Sequence, residues 1–136
     1  MTRGQESEGR GEMTKKILIV DDEPNIVISL EFLMKREGFQ VFVANDGEAA
    51  LEQLAAHQPD LVLLDVMMPK RNGYEVCQQI RSNVAWQQTK VIMLTAKGRD
   101  TEMAKGMAMG ADAYMTKPFA TKELVAQVKQ LLGIAE

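Results

Sequence analysis

Residues 61 to 73 read LVLLDVMMPKRNG, and the opening of that stretch decides the fold. Four successive apolar side chains, Leu61 to Leu64, show no alternation between an inner and an outer face, which is what a strand buried on both faces requires. The run stops on a carboxylate, Asp65. After Gly73 the period changes to that of a helix, carried by Val76, Cys77 and Ile80.

The same unit recurs on both sides. Upstream stand ILIV at 17 to 20 and VFVA at 41 to 44; downstream stand VIML at 91 to 94 and a weaker AYM at 113 to 115. Between them lie helical stripes. Ile26, Leu30, Leu33 and Met34 form the first, with Pro24 at its start and Gly38 just past its end. Ala50, Leu51, Leu54 and Ala55 form the second, after the Asn45-Asp46-Gly47 turn. A looser fourth segment, roughly Thr101 to Met109, carries Met103, Met107 and Met109 with Gly106 inside it and is expected to be the least rigid helix. Leu124, Val125, Val128, Leu131 and Leu132 make the clearest stripe, with Lys122, Glu123, Gln127 and Lys129 outside it. Residues 82 to 90, SNVAWQQTK, read as a polar connection in which Trp86 packs locally. The sum is a (βα)5 pattern: an α/β fold with a doubly wound parallel sheet of five strands, covered by helices on both faces.

Bulk properties narrow the function. With 136 residues, 46% hydrophobic and 26% charged, the chain fits one domain. Residues 1–14 lack apolar periodicity and read as a disordered leader or cloning remnant, leaving 15–136 as the domain. No apolar run approaches the ~20 residues that span a bilayer and no signal peptide opens the chain, so a cytoplasmic address is expected. Cys77 has no second cysteine with which to form a disulfide or a zinc pair and reads as a core residue. A net charge of −3 offers no basic field to a phosphate backbone, so any output on DNA would need a partner.

In a doubly wound parallel sheet, ligands bind outside the carboxyl ends of the strands. Asp21 and Asp22 follow the first strand, Asp65 the third, Thr95 the fourth, and Lys117 stands just beyond the fifth. Singly, each is an ordinary cap, turn or surface residue. Jointly they describe a site. Carboxylates gathered at about 4 Å repel by roughly 4 kcal/mol per pair at an effective dielectric near 20, which implies a cation. Oxygen-only ligands select a hard ion, and Mg²⁺ suits a site that also takes a phosphate oxygen. Lys117 and Thr95 then fit the remaining oxygens of a phosphoryl group passed to Asp65.

Four motifs carry a family resemblance: VDDE at 20 to 23, LLDVMMPKRNG at 63 to 73, MLTA at 93 to 96 and GADAYMTKPF at 110 to 119. In order and spacing they resemble the receiver domains of two-component response regulators, over Lys15 to about Leu132. The resemblance implies a flavodoxin-like sheet of strand order 2-1-3-4-5. It implies Asp65 as phosphoacceptor, with Asp21, Asp22, Asp65 and the Met67 backbone carbonyl holding Mg²⁺ and with Thr95 and Lys117 on the phosphoryl group. A cis Lys117–Pro118 bond and a switch pair of Thr95 and Tyr114 also follow from it. Implied partners are a sensor histidine kinase or histidine phosphotransfer protein, which meets helix one and the neighbouring loops. An unidentified output protein would meet a surface of helix four, strand five and helix five. Met67 and Lys97 occupy positions that tune phosphoryl lifetime, and apolar Met67 implies slow self-dephosphorylation. Gln127 stands where related DNA-binding regulators often carry an arginine for dimer salt bridges, which points to a monomer or weak dimer. The chain would catalyse its own phosphorylation and dephosphorylation while serving chiefly as a switch.

Three rival classes fit less well. A phosphohydrolase of the haloacid dehalogenase type wants a second Asp two residues after Asp65, where Met67 stands. A flavin-binding flavodoxin needs a phosphate loop after strand one, where DDEPN stands. A P-loop nucleotidase needs its Gly-rich Lys motif, which is absent. Within the family, a receiver belonging to a longer transcription factor or hybrid kinase, or a phosphorylation-independent binding module, remain as alternatives. His57 reads as a surface residue without a role.

Overall fold

The computed structural model describes residues 14–68, 72–96, 104–105 and 107–134. Five strands form one sheet: β1 (Lys16–Val20), β2 (Gln40–Ala44), β3 (Leu61–Asp65), β4 (Lys90–Ala96) and β5 (Ala113–Lys117). All pairs are parallel and the order is β2-β1-β3-β4-β5, the doubly wound flavodoxin-like topology. The helices are α1 (Pro24–Arg36), α2 (Gly47–His57), α3 (Gly73–Ser82) and α5 (Thr121–Leu132). Residues 104–105 and 107–108 are helical and are called α4.

The continuous apolar runs have a simple cause. Alternate residues of each strand enter two separate cores. Leu18, Val20, Val62, Leu64, Val91 and Met93 pack with Ala50 and Leu54 of α2 and Val76, Cys77 and Ile80 of α3. Ile17, Ile19, Leu61, Leu63, Ile92 and Leu94 pack with Leu30, Leu33 and Met34 of α1 and Leu124 and Val128 of α5. Every position of β3 is buried, whereas β2 and β5, at the two edges of the sheet, are mostly half-buried, which is why AYM is the weakest signal. Burial pushes the Cys77 thiol up to about 11, in keeping with a core residue.

The strands run further than their apolar residues. Main-chain pairing is indifferent to side-chain polarity, so β3 includes Asp65, β4 includes Thr95 and Ala96, and β5 includes Lys117. Two other readings are corrected and one is refined. Ala55 is exposed, and the buried stripe of α2 is Gly47, Ala50 and Leu54. The connection at 82 to 90 contains a 3₁₀ turn, Val84–Trp86, with Trp86 half-buried against the α2–α3 core. His57 is half-buried, its ring stacked on Phe42 of the edge strand at 3.9 Å between centroids. Lys97, Thr101, Met103, Gly106 and residues 1–13 lie outside the described residues.

Local chemistry fixes the helix ends. Asp46 accepts the Ala49 N–H at 2.8 Å, and Asn72 and Glu75 form a reciprocal capping box at the start of α3. At the far end of α3, Arg81 donates to the carbonyls of Gly110 and Thr89, each at 2.8 Å, and to Asp112 Oδ2 at 2.7 Å. The same Asp112 oxygen accepts the Val91 N–H at 2.8 Å. This clamp ties α3 to the entries of β4 and β5. It also needs Gly110, whose φ is +104° and whose missing Cβ would lie 2.6 Å from Arg81 Cγ.

Gly73 answers to a different constraint. Its N–H donates to the Val66 carbonyl at 2.8 Å, folding the chain after Asp65 back on itself. A Cβ at Gly73 would collide with the Asp65 carbonyl oxygen and stand 2.9 Å from Val66 Cα, so α3 starts against the strand that ends in Asp65. Gly73→Ala should therefore destabilise the fold by about 1–3 kcal/mol, the usual cost of forced overpacking. Urea denaturation measures this, and an unchanged midpoint would show that the turn yields freely.

Candidate functional site

The parallel sheet brings the ends of β1, β3, β4 and β5 to one edge, where three carboxylates meet one ammonium and a fourth, Asp22, stands beside them. Asp21 is fully buried: its Oδ1 accepts the Glu23 N–H at 2.9 Å and its Oδ2 accepts Lys117 Nζ at 2.8 Å. Asp65 is 5% exposed, with Oδ1 3.3 Å from Lys117 Nζ, and its carboxylate also accepts the Met67 N–H. Asp22 is exposed. One oxygen from each of Asp21, Asp22 and Asp65 lies within 4.8 Å of the others, the one such group of ligand side chains among the described residues. Glu23 Oε1 completes the set, 3.1 Å from Lys117 Nζ.

The charges are poorly matched without a further cation. Asp65 is raised to about 6, first by burial and then by the Asp21 charge, while Lys117 pulls it back. Burial works to lower the pKa of Lys117, yet its hydrogen bond to Asp21, the charges of Asp65 and Asp21, and its hydrogen bond to Glu23 outweigh that and hold it firmly protonated. One ammonium thus serves three carboxylates, and Asp22 stands beside them. An oxygen-only set of this kind fits a hard divalent cation.

The remaining readings fall as follows. Thr95 is buried in β4, in register with Thr116 of β5, and Tyr114 is in register with Met93. Thr95 and Tyr114 are therefore diagonal neighbours on one face of adjacent strands. Tyr114 is half-buried against the α2–α3 core with its hydroxyl buried. The Lys117–Pro118 peptide bond is cis. Met67 gives its N–H to Asp65 and leaves its side chain 62% exposed. Glu23 and Gly73 are additions. Glu23 lay in the quoted VDDE, but its contact depends on Lys117, 94 residues away. Gly73 was read as the residue before a helix, whereas it is the residue that lets the helix touch Asp65.

Sheet order, carboxylate cluster and lysine together define a receiver. The chain belongs to the response regulator receiver domain family, whose model matches residues 17–129. It is 46% identical over 124 residues to the alkaline phosphatase synthesis transcriptional regulatory protein PhoP of Bacillus subtilis (strain 168). That match covers 91% of this chain and 51% of the relative, so the chain spans about half that relative's length. Among solved structures it is similar to a putative response regulator of Chloroflexus aurantiacus J-10-fl, with a TM-score of 0.85, 35% identity, and 88% and 98% of the two chains covered. It is also similar to the BeF3-activated DrrB receiver domain, with a TM-score of 0.81, 36% identity, and 89% and 99% covered. Family membership sets aside the phosphohydrolase, flavodoxin and P-loop readings. Among the described residues, no helix is long and apolar enough to cross a membrane.

The Asp65 carboxyl should titrate near pH 6 by carboxyl ¹³C NMR, and higher still in Lys117→Met, because Lys117 is what lowers it. Between the ordinary value of 3.8 and about 6 the folded chain binds this proton more tightly than the unfolded one, so Asp65's contribution to stability falls as pH rises through that window. A midpoint near 3.8 would contradict the burial argument.

Proposed function

We propose that this chain is a phosphoryl-accepting switch of a two-component pathway, with Asp65 as the acceptor. The convergence of Asp21, Asp22, Asp65 and Lys117 at the carboxyl edge of the sheet carries this reading. The donor is a phosphohistidine of a sensor kinase or phosphotransfer protein. An Asp65 carboxylate oxygen attacks phosphorus in line; the O–P bond forms, the P–N bond breaks, and the imidazole nitrogen keeps the electron pair and takes up a proton. Asp21, Asp22 and Asp65, with the Met67 carbonyl, would hold Mg²⁺, which when bound offsets the charge of the phosphoryl oxygens. Lys117 supplies a fixed positive charge to a second oxygen and Thr95 a hydroxyl donor to a third. Dephosphorylation is hydrolysis of the same acyl phosphate.

The output follows from Thr95. Drawn toward the phosphoryl group, it vacates space on the face it shares with Tyr114, whose ring then moves and biases the α4-β5-α5 surface. That surface carries a groove of about 530 Å³ lined by Tyr114, Thr116, Pro118, Phe119, Glu123 and Gln127 among others, open to a partner. On the opposite side of α5, helix α1 exposes Ile28 and Phe32, one turn apart, as apolar ground for a helical kinase or phosphotransfer partner. All of this is set in the cytoplasm.

A second reading concerns output. The B. subtilis relative is named as a transcriptional regulator, and the identity extends over half of it. On this reading the receiver is the input half of a DNA-binding regulator, its surface controlling a partner domain rather than a separate protein.

Incubation with a small phosphodonor and Mg²⁺ should add one phosphoryl group by intact mass. The gain should vanish in Asp65→Asn and without metal, and slow by roughly 100-fold in Lys117→Met, the scale of losing a donor to developing charge. No gain in folded wild type would favour a phosphorylation-independent binding module. Met67→Asn should shorten the phosphoryl lifetime, since Asn orients a water that the thioether cannot; equal lifetimes would remove Met67 as the tuning residue.

A further inference from the structure

Glu23 stands at the N-cap of α1 with extended backbone, yet its side chain caps nothing. It reaches instead across the site to Lys117 Nζ at 3.1 Å. Its surroundings differ sharply from those of the other lysine partners: Glu23 is 61% exposed, whereas Asp21 and Asp65 are buried. The ammonium is therefore shared between an inner seat, Asp21 Oδ2 at 2.8 Å with Asp65 Oδ1 at 3.3 Å, and an outer one on Glu23.

The inner seat has a conflict built into it. Asp21 has its Oδ1 on the Glu23 N–H and its Oδ2 on Lys117, so both oxygens are engaged. A cation that binds Asp21 and Asp65 has to share their carboxylates with an ammonium already on Asp21 Oδ2 and beside Asp65 Oδ1. Repulsion between the two positive charges favours a Lys117 shifted away from those oxygens, and its exposed partner is Glu23. Because Glu23's main-chain N–H is fastened to Asp21, its carboxylate stays within reach of the lysine while its exposed side chain makes the pairing weak enough to give up.

We infer that Glu23 is a positioning residue, an outer seat that draws the Lys117 ammonium off Asp21 when a divalent cation enters and yields it when an anionic phosphoryl group arrives. The first half concerns the cation alone; the second rests on the function proposed above. The two halves have opposite signatures. Without the Glu23 charge, Lys117 stays on the carboxylates and cation binding weakens, while at saturating cation the lysine is freer for the donor and donor capture improves. A residue that merely supported the fold would move both in the same direction.

The test is a Mg²⁺ titration of the full chain followed by backbone amide NMR, in wild type, Glu23→Gln, Lys117→Met and the double variant. Phosphoryl uptake from acetyl phosphate at saturating Mg²⁺ is measured in wild type and Glu23→Gln. Glu23→Gln should raise the Mg²⁺ Kd by about two- to fivefold and lower the apparent KM for acetyl phosphate by a similar factor with kcat little changed, the scale of one exposed ion pair. In the Lys117→Met background the same substitution should have a smaller effect on Mg²⁺, because the coupling runs through the ammonium. An effect on Mg²⁺ that is absent, or undiminished without Lys117, overturns the inference and leaves the proposed function standing. A coupled Mg²⁺ effect in a chain that takes up no phosphoryl group would uphold the outer seat and overturn the proposed function.

Discussion

Asp21 and Asp65 are two buried carboxylates side by side, and the molecule tolerates them because Lys117 is delivered to the same point. Neither charge is affordable in the interior alone. Much of the architecture follows from that requirement. The lysine comes from the end of β5, two strands away from β3 in the sheet, so β4 must lie between them in register to set its height. The Met67 N–H bonds Asp65 from the turn beyond β3, and Gly73 lets that turn fold back so that α3 begins against the Asp65 backbone. Parallel strands make the meeting possible, since antiparallel neighbours would place alternate strand ends at opposite edges.

The fold was legible because each core strand feeds two cores. ILIV, LVLL and VIML are continuous for that reason and could be read without any knowledge of pairing. The strand ends were not legible, because Asp65, Thr95 and Lys117 sit in ladders whose hydrogen bonds are blind to side chains. The strand order came from the resemblance and not from spacing, since the helical connections look alike whichever side of β1 they return to. Ala55 was misplaced because a small apolar residue fits either the buried or the exposed side of a helix, and the Phe42–His57 stack was invisible because it joins an edge strand to a helix end.

The site divided in the same way. Asp21, Asp22, Asp65 and Lys117 could be placed together from topology alone, since each terminates or follows a strand. Glu23 could not, although it is part of the same VDDE motif. A carboxylate next to Pro24 at a helix start reads as a cap, and only the position of a lysine at the other end of the chain shows that it points elsewhere. Gly73 has the same character: its reason lies in the atoms of Asp65 and Val66 rather than in the turn chemistry of its neighbours.

The Arg81 clamp lies at the opposite edge of the sheet and touches none of Asp21, Asp22, Glu23 and Asp65, yet it acts on the strand that delivers Lys117. By pinning Gly110, Asp112 and Val91 to the end of α3, it anchors β5 at the end remote from Lys117. With its entry fixed at Asp112 and all five of its residues paired to β4, β5 is held in register from end to end, so the far edge of the sheet shares in setting the height at which Lys117 meets the carboxylates.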